Sequence, residues 1–173
     1  MEPQEIQEEA EHAHHAGQKG IGLTTSIVAV LLAIATLLGH RSHTEEILLR
    51  GQANDKWAEE QAKKIRAHIY EGDELLAKLS GEPGKEVAAE LEKNRVKYDG
   101  QAEELVKQAH EIEAEQALVS KRADRFDLSE LFLEISIIFC SIALLTEMKV
   151  FWKVSFITTI LGLAAIVWGF LLR

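Results

Sequence analysis

The sequence predicts an all-α membrane protein: three transmembrane helices, with a long antiparallel helical hairpin, a coiled-coil stalk, inserted between spans 1 and 2. Three observations predict it. Apolar residues are segregated along the 173-residue chain, so that Ile21 to Leu38 carries no charge, while Leu131 to Leu145 and Val150 to Leu172 carry one each. Each run approaches the roughly 20 helical residues that cross a ~30 Å hydrocarbon core. Between the first two runs, residues 41 to 127 hold 15 Lys/Arg and 20 Asp/Glu. Finally, Pro83 is the only proline after Pro3, and it divides residues 21–146 into two stretches of nearly equal length.

In chain order, residues 1–19 form an acidic, histidine-bearing tail, with room for a short helix from Gln4 to Ala16. Residues 20–40 are the first span and 41–126 the hairpin stalk. In the first stalk helix, Leu48, Gly51, Asp55, Ala58, Ala62, Ile65, Ile69, Gly72, Leu76 and Leu79 follow alternating three- and four-residue steps, which predicts a coiled-coil seam. A turn at residues 80–85 follows, because Ser80-Gly81-Glu82-Pro83-Gly84 removes a donor and admits left-handed dihedrals. In the second stalk helix Leu91, Tyr98, Leu105, Ile112, Val119 and Phe126 recur every seven residues, with Ala88, Ala102, Ala109 and Ala123 at the complementary step. The register continues through Leu133 and Cys140, so one helix of on the order of 90 Å runs from Glu86 into the second span, residues 127–147. The stalk would then extend roughly 50–60 Å beyond the bilayer. Residues 149–173 are the third span.

Small residues line each span at helical spacing: Gly22, Ser26, Ala29, Ala33 and Thr36 in the first, Ser136, Cys140 and Ala143 in the second, and Thr158, Gly162, Ala165 and Gly169 in the third. They let helices approach closely where lipid offers no hydrophobic drive, either within one chain or between copies. Three such seams beside a long coiled coil predict a homo-oligomer.

The net charge of −9 divides into −4 in the tail, −5 in the insertion and zero in the remainder. This balance excludes nucleic acid as a partner, since phosphate neutralisation needs a basic surface. The lone Cys140 cannot form an intrachain disulfide, and the acidic N-terminus is unlike a secretory signal, so the first run reads as an uncleaved span.

The sequence resembles the uncharacterised bacterial membrane family catalogued as domain of unknown function 4337. The resemblance rests on Glu11-His12-Ala13-His14-His15-Ala16, Gly22-Leu23-Thr24-Thr25, Asn54-Asp55-Lys56-Trp57-Ala58 with Gln61-Ala62-Lys63, and Ser136-Ile137 with Ser141-Ile142-Ala143-Leu144-Leu145-Thr146. It implies three spans with a helical insertion and no particular chemistry. A basic cluster expected after Thr146 is replaced by Glu147-Met148-Lys149. The positive-inside rule gives a split answer for a bacterial cytoplasmic (inner) membrane: the residues flanking the spans, Arg41, Arg50, Lys121, Arg122, Arg125 and Arg173 against Lys19, Lys149 and Lys153, favour a stalk inside, whereas the count restricted to the tail, the short turn and the C-terminus, preferred because long loops are discounted, places the tail inside and the stalk outside.

Two constellations carry candidate chemistry. Glu8, Glu11, His12 and His15 would share one helical face of the tail, which reads first as a solvated or lipid-proximal segment and second as a divalent-metal site of imidazole and carboxylate, able to respond to pH in either case. Glu134 is the one acid well inside an apolar run, and Thr36 and His40 should lie at its depth, making a polar clamp. Trp152 and Trp168 mark the ends of the third span, and Lys153 should reach the interface. His68, Tyr70, Tyr98 and His110 read as stalk packing or solvated residues. No phosphate loop and no nucleophile–base arrangement stands out, so the expectation is a non-enzyme without a cofactor. The chain reads as a scaffold that meets the lipid bilayer and further copies, with the stalk open to a protein partner. The rival reading is a small ion- or metal-handling protein that uses Glu134, His40 and the tail histidines.

Overall fold

The computed structural model describes residues 3–172, with side chains from Gln18 to Leu172. It consists of three helices, α1 (Pro3–Leu79), α2 (Lys85–Thr146) and α3 (Lys149–Leu171), and among the described residues there is no strand. Ala, Leu, Glu, Lys and Gln dominate these segments, and no proline lies inside them beyond Pro3 at the start of α1, where its missing N–H is harmless. The tail expected as a separate piece is the first part of α1. Isolated glycines such as Gly17 and Gly20 each cost about 1 kcal/mol relative to alanine, too little to break a helix with good formers on both sides. Each of the three helices contains a stretch long and apolar enough to cross a membrane.

The break between α1 and α2 falls at the expected glycines and proline. Ser80 and Gly81 donate their N–H groups to the carbonyls of Ala77 and Lys78 (3.1 and 3.4 Å), and Gly81 takes φ 72°, ψ −145°, which side chains rarely adopt. A single 3-10 turn, Glu82–Gly84, carries Pro83 and leads into α2. Gly84 is buried so tightly that a Cβ there would run into the carbonyl of Ala77. α2 ends at Thr146, and Glu147, with φ 58°, turns the chain into α3.

The chain forms two compact units, Met1–Thr44 with Leu118–Arg173, and Glu45–Ala117. In the second unit the parts of α1 and α2 run antiparallel: Trp57 bonds Glu113, Lys64 bonds Asp99, Tyr70 stacks on Tyr98 and Glu74 meets Arg95, one number falling as the other rises. The α2 side follows the expected repeat. Ala88, Ala102, Leu105 and Ala109 are buried, and Leu91, Tyr98 and Ile112 are half-buried.

The α1 side does not follow it. Leu49, Ala53, Ala67 and Glu74 face α2, with Trp57, Lys64 and Tyr70 beside them. Leu48, Gly51, Asp55, Ala58, Ala62, Ile65, Ile69, Gly72, Leu76 and Leu79, read as the seam, are all exposed. The reason is packing: α2 brings Leu91, Tyr98, Leu105 and Ile112 at a regular step, and α1 fits around them with Ala53 and Ala67, the stem of Lys64, and a few large side chains, Leu49, Trp57 and Tyr70, that follow no seven-residue repeat of their own.

In the first unit Ile21, Val28, Ala35 and Ser42 of α1, spaced by seven, are buried. Ile21 packs with Cys140 and Ala143 beside Phe151 and Trp152, and Val28 and Ala35 pack with Leu133 beside Leu31, Leu32, Ile137 and Ile166. Val119, Phe126, Leu133 and Cys140 continue the α2 repeat here, each buried. α3 enters through its small residues: Gly162, Ala165 and Gly169 are buried as expected. A Cβ on Gly162 would meet Leu133 Cγ at 3.0 Å, and one on Gly169 would meet the Phe126 ring at 2.8 Å. The small residues of the first span lie elsewhere. Ser26, Ala29 and Ala33 are exposed, and Gly22, half-buried, has nothing within 4 Å of where its Cβ would be.

Candidate functional site

The first unit is an apolar helix packing that carries two polar layers. In the first, Thr24 of α1 donates its hydroxyl to the Gly20 carbonyl (2.9 Å) and accepts the Trp152 indole N–H from α3 (3.2 Å). Ser155, on the next turn of α3, donates to the Trp152 carbonyl (2.7 Å), and its hydroxyl accepts from the Cys140 thiol of α2 (3.3 Å). Ser136, one turn before Cys140, donates to the Ser155 carbonyl (2.9 Å) and shares a 2.7 Å contact with the Thr159 hydroxyl. Thr158 and Thr159 also donate to the Ser155 carbonyl, at 3.0 and 2.8 Å. Ser136, Cys140 and Ser155 are fully buried. A helix can carry hydroxyls into an apolar interior because each can bond a carbonyl one turn back or on a neighbour; the ladder uses both, tying α1, α2 and α3 together without a charge.

The second layer lies where α1 leaves its apolar run and α2 approaches its own. Thr36 donates to the Glu130 carboxylate (2.8 Å), and His43 bonds Asp127 (3.0 Å). A Cβ on Gly39, between them, would meet the Asp127 carboxylate at 3.2 Å. The Arg125 guanidinium lies 4.3 Å above the Trp168 ring, and Phe126 meets Phe170 edge-on at 5.5 Å. The Ser129 hydroxyl is buried here without a hydrogen-bond partner among the described residues.

This corrects the expected clamp. Thr36 meets an acid, but the acid is Glu130, one turn before Glu134. Glu134 is exposed, and His40 is exposed as well. Stepping back along α2 from Leu133, the buried positions Ser129 and Phe126 fix the facing side, and Glu130 sits next to it. Ser155, Thr159, Asp127 and His43 were missed as well; the signal that could have found them is the seven-residue step from Cys140 and Ser136, carried onto the facing helices. Trp152, read only as a belt residue, is half-buried and serves the polar ladder.

In the second unit the polar groups are salt-linked. Glu74 is 6% exposed, bonds Lys78 one turn on in α1 and receives the Arg95 guanidinium at 3.2 Å. The hydrogen bond from Lys78 pulls its carboxyl below the usual value, against burial, with Arg95 adding to the effect. Lys78 is correspondingly held above its own usual value by Glu74. Glu113 accepts the Trp57 indole N–H at 2.8 Å, which lowers its carboxyl below the ordinary range, and His110 at 3.0 Å adds to it. Trp57 also meets His110 edge-on at 5.2 Å, so His110 and Tyr98 serve packing, while His68 bonds Glu71 on the surface at 3.2 Å.

The proposed metal ligands Glu8, Glu11, His12 and His15 lie outside the residues whose side chains are described. Among the described residues no three His, Cys, Asp or Glu side chains gather as a metal site would need. The arrangement suits holding helices together: neutral hydroxyl bonds inside, ion pairs in the polar unit. No curated protein and no solved structure matches the chain. A family model matches residues 17–172, nearly all of the chain, with its three apolar stretches and polar helical insertion, and the chain therefore belongs to the family Domain of unknown function (DUF4337).

Proposed function

We propose that this chain is a membrane scaffold without enzymatic activity, three spans carrying a helical hairpin stalk, whose copies self-associate in a bacterial cytoplasmic membrane. The observation that carries the reading is the orientation of the first span. Its small-residue face, Gly22, Ser26, Ala29 and Ala33, is turned away from the packing within the chain, which uses Ile21, Val28 and Ala35 instead. In lipid, small residues matter where another helix approaches, so an outward face of this kind suits a second copy. Glu134 supports the same reading. It is exposed in the apolar run of α2, where an acid facing hydrocarbon costs on the order of 2.5–3.5 kcal/mol at the centre of a span, and a neighbouring copy would relieve that cost.

The test is substitution on the outward face. Ala29→Ile with Ala33→Ile should shift the detergent-extracted protein toward smaller species while leaving its helicity intact. An unchanged distribution of species would count against self-association through the first span. Glu134 also keeps a second reading open, ion handling, because an intramembrane carboxylate is where such chemistry would sit. That reading requires Glu134→Gln to alter ion flux in liposomes; unaltered flux removes it.

A further inference from the structure

We infer that the outward stripe of α1 in the Glu45–Ala117 unit is a docking surface for the same stripe of a second copy, met antiparallel. The inference rests on the self-association reading above and adds a second contact between copies, distinct from the one at the first span. The stripe is Leu48, Gly51, Asp55, Ala58, Ala62, Ile65, Ile69, Gly72, Leu76 and Leu79. Its side chains are uncovered by α2, which packs against Leu49, Ala53, Ala67 and Glu74. Leu48, Ile65, Ile69, Leu76 and Leu79 are each exposed over more than half of their surface. The alternation of three- and four-residue steps holds throughout, and it is the 3.5-residue period by which one helix wraps another. A solvated face has no need of that period or of its leucines and isoleucines.

The stripe is complementary to itself in one sense only. Reversed about the point between Ala62 and Ile65, three of the five bulky residues meet a small one: Ile65 faces Ala62 of the second copy, Ile69 faces Ala58, and Leu76 faces Gly51. Leu48 and Leu79 meet at the two ends, and Asp55 faces the bare backbone of Gly72. Charges agree with the sizes. Glu59 and Arg66 flank the stripe on one side, both exposed, and the reversal brings Glu59 of each copy beside Arg66 of the other, two ion pairs from one contact. In the parallel sense Asp55 would face Asp55 and each glycine a glycine, leaving like charges and gaps at the centre. The result is an isologous, twofold contact. It joins copies whose α1 helices run in opposite directions, so it is a contact separate from the first-span face, which brings together copies whose α1 helices run the same way.

Cross-linking of the full-length chain tests this. On a Cys140→Ala background, Ala58→Cys and Ile69→Cys proteins carrying different tags are mixed in mild detergent, where copies can meet in either sense, and treated with a short thiol cross-linker. The expected product joins position 58 of one tag to position 69 of the other. Self-linkage at 58 should be minor, since 58 and 58 of an antiparallel pair are on the order of 16 Å apart along the axis. Glu59→Arg and Arg66→Glu should each lower the yield several-fold, and the two together should restore it. Dominant self-linkage at both positions would mean a parallel contact and overturn the proposal. No linkage at the stripe while the mass stays oligomeric would overturn it and leave self-association standing. No linkage together with a monomeric mass would sink both.

Discussion

Glu74 is the side chain of the polar unit that most depends on its neighbours, because a carboxylate 6% exposed is tolerable only with cations at hand. Its pKa is depressed by Lys78 first and by Arg95 as well, so its stabilising effect is fully present above 4.5, its value when free, and is lost as pH falls through the folded value. The effect of Glu113, depressed by Trp57 and His110, disappears in the same acid window. Thermal melts followed by far-UV ellipticity should therefore show the wild type losing stability between pH 7 and pH 3. Glu74→Gln should be less stable at neutral pH and lose less on acidification; an equal loss in both would remove Glu74 from the account. Glycines give the matching test in the apolar unit. Gly162→Val would force a side chain into Leu133 and the Ser129 carbonyl, an overpacking that costs typically 1–3 kcal/mol, while Gly22→Val enters open space within the chain. Unfolding in a graded series of denaturing detergent should separate the two variants, with Gly22→Val close to wild type.

At the scale of the element, the helix ends and one helix face were legible in the sequence, and the other face was not. Pro83 between Gly81 and Gly84 marks the end of α1 because proline removes a donor and Gly81 takes a conformation open to glycine. The register of α2 was legible because its large residues recur every seven positions on the side that packs, from Leu91 through Cys140. The register of α1 in the polar unit was misread by the same logic. Its large residues, Ile65, Ile69, Leu76 and Leu79, recur with a good period on the side that faces away, and a period alone says nothing about whether the partner belongs to the same chain. The small residues Gly162 and Gly169 of α3 and Cys140 of α2 are buried, whereas those of the first span lie outward. The turn offers an element-scale prediction. Gly81→Val must adopt φ 72°, ψ −145°, at a cost of order 1–3 kcal/mol, and should lower the midpoint of chemical unfolding. Ser136→Ala, which removes a bond to the Ser155 carbonyl and the Thr159 contact, should cost only about 0.6 kcal/mol, the average for hydrogen bonds between helices in membranes.

For the whole molecule, membership of the DUF4337 family brings no chemistry with it, and the guide to a role is what the chain leaves uncovered. Three faces matter: the small residues Gly22, Ser26, Ala29 and Ala33, the outward Glu134, and the apolar stripe from Leu48 to Leu79. Each is costly for a chain that stays alone, the first in packing forgone, the second in desolvation, and the third in apolar surface left in water. The measurement that bears most directly on the scaffold reading is the mass of the full-length protein released from lipid nanodiscs or mild detergent, read by native mass spectrometry across a dilution series. The account predicts a discrete multiple of the 19.3 kDa chain that persists on dilution. A single 19.3 kDa species at every concentration would contradict it.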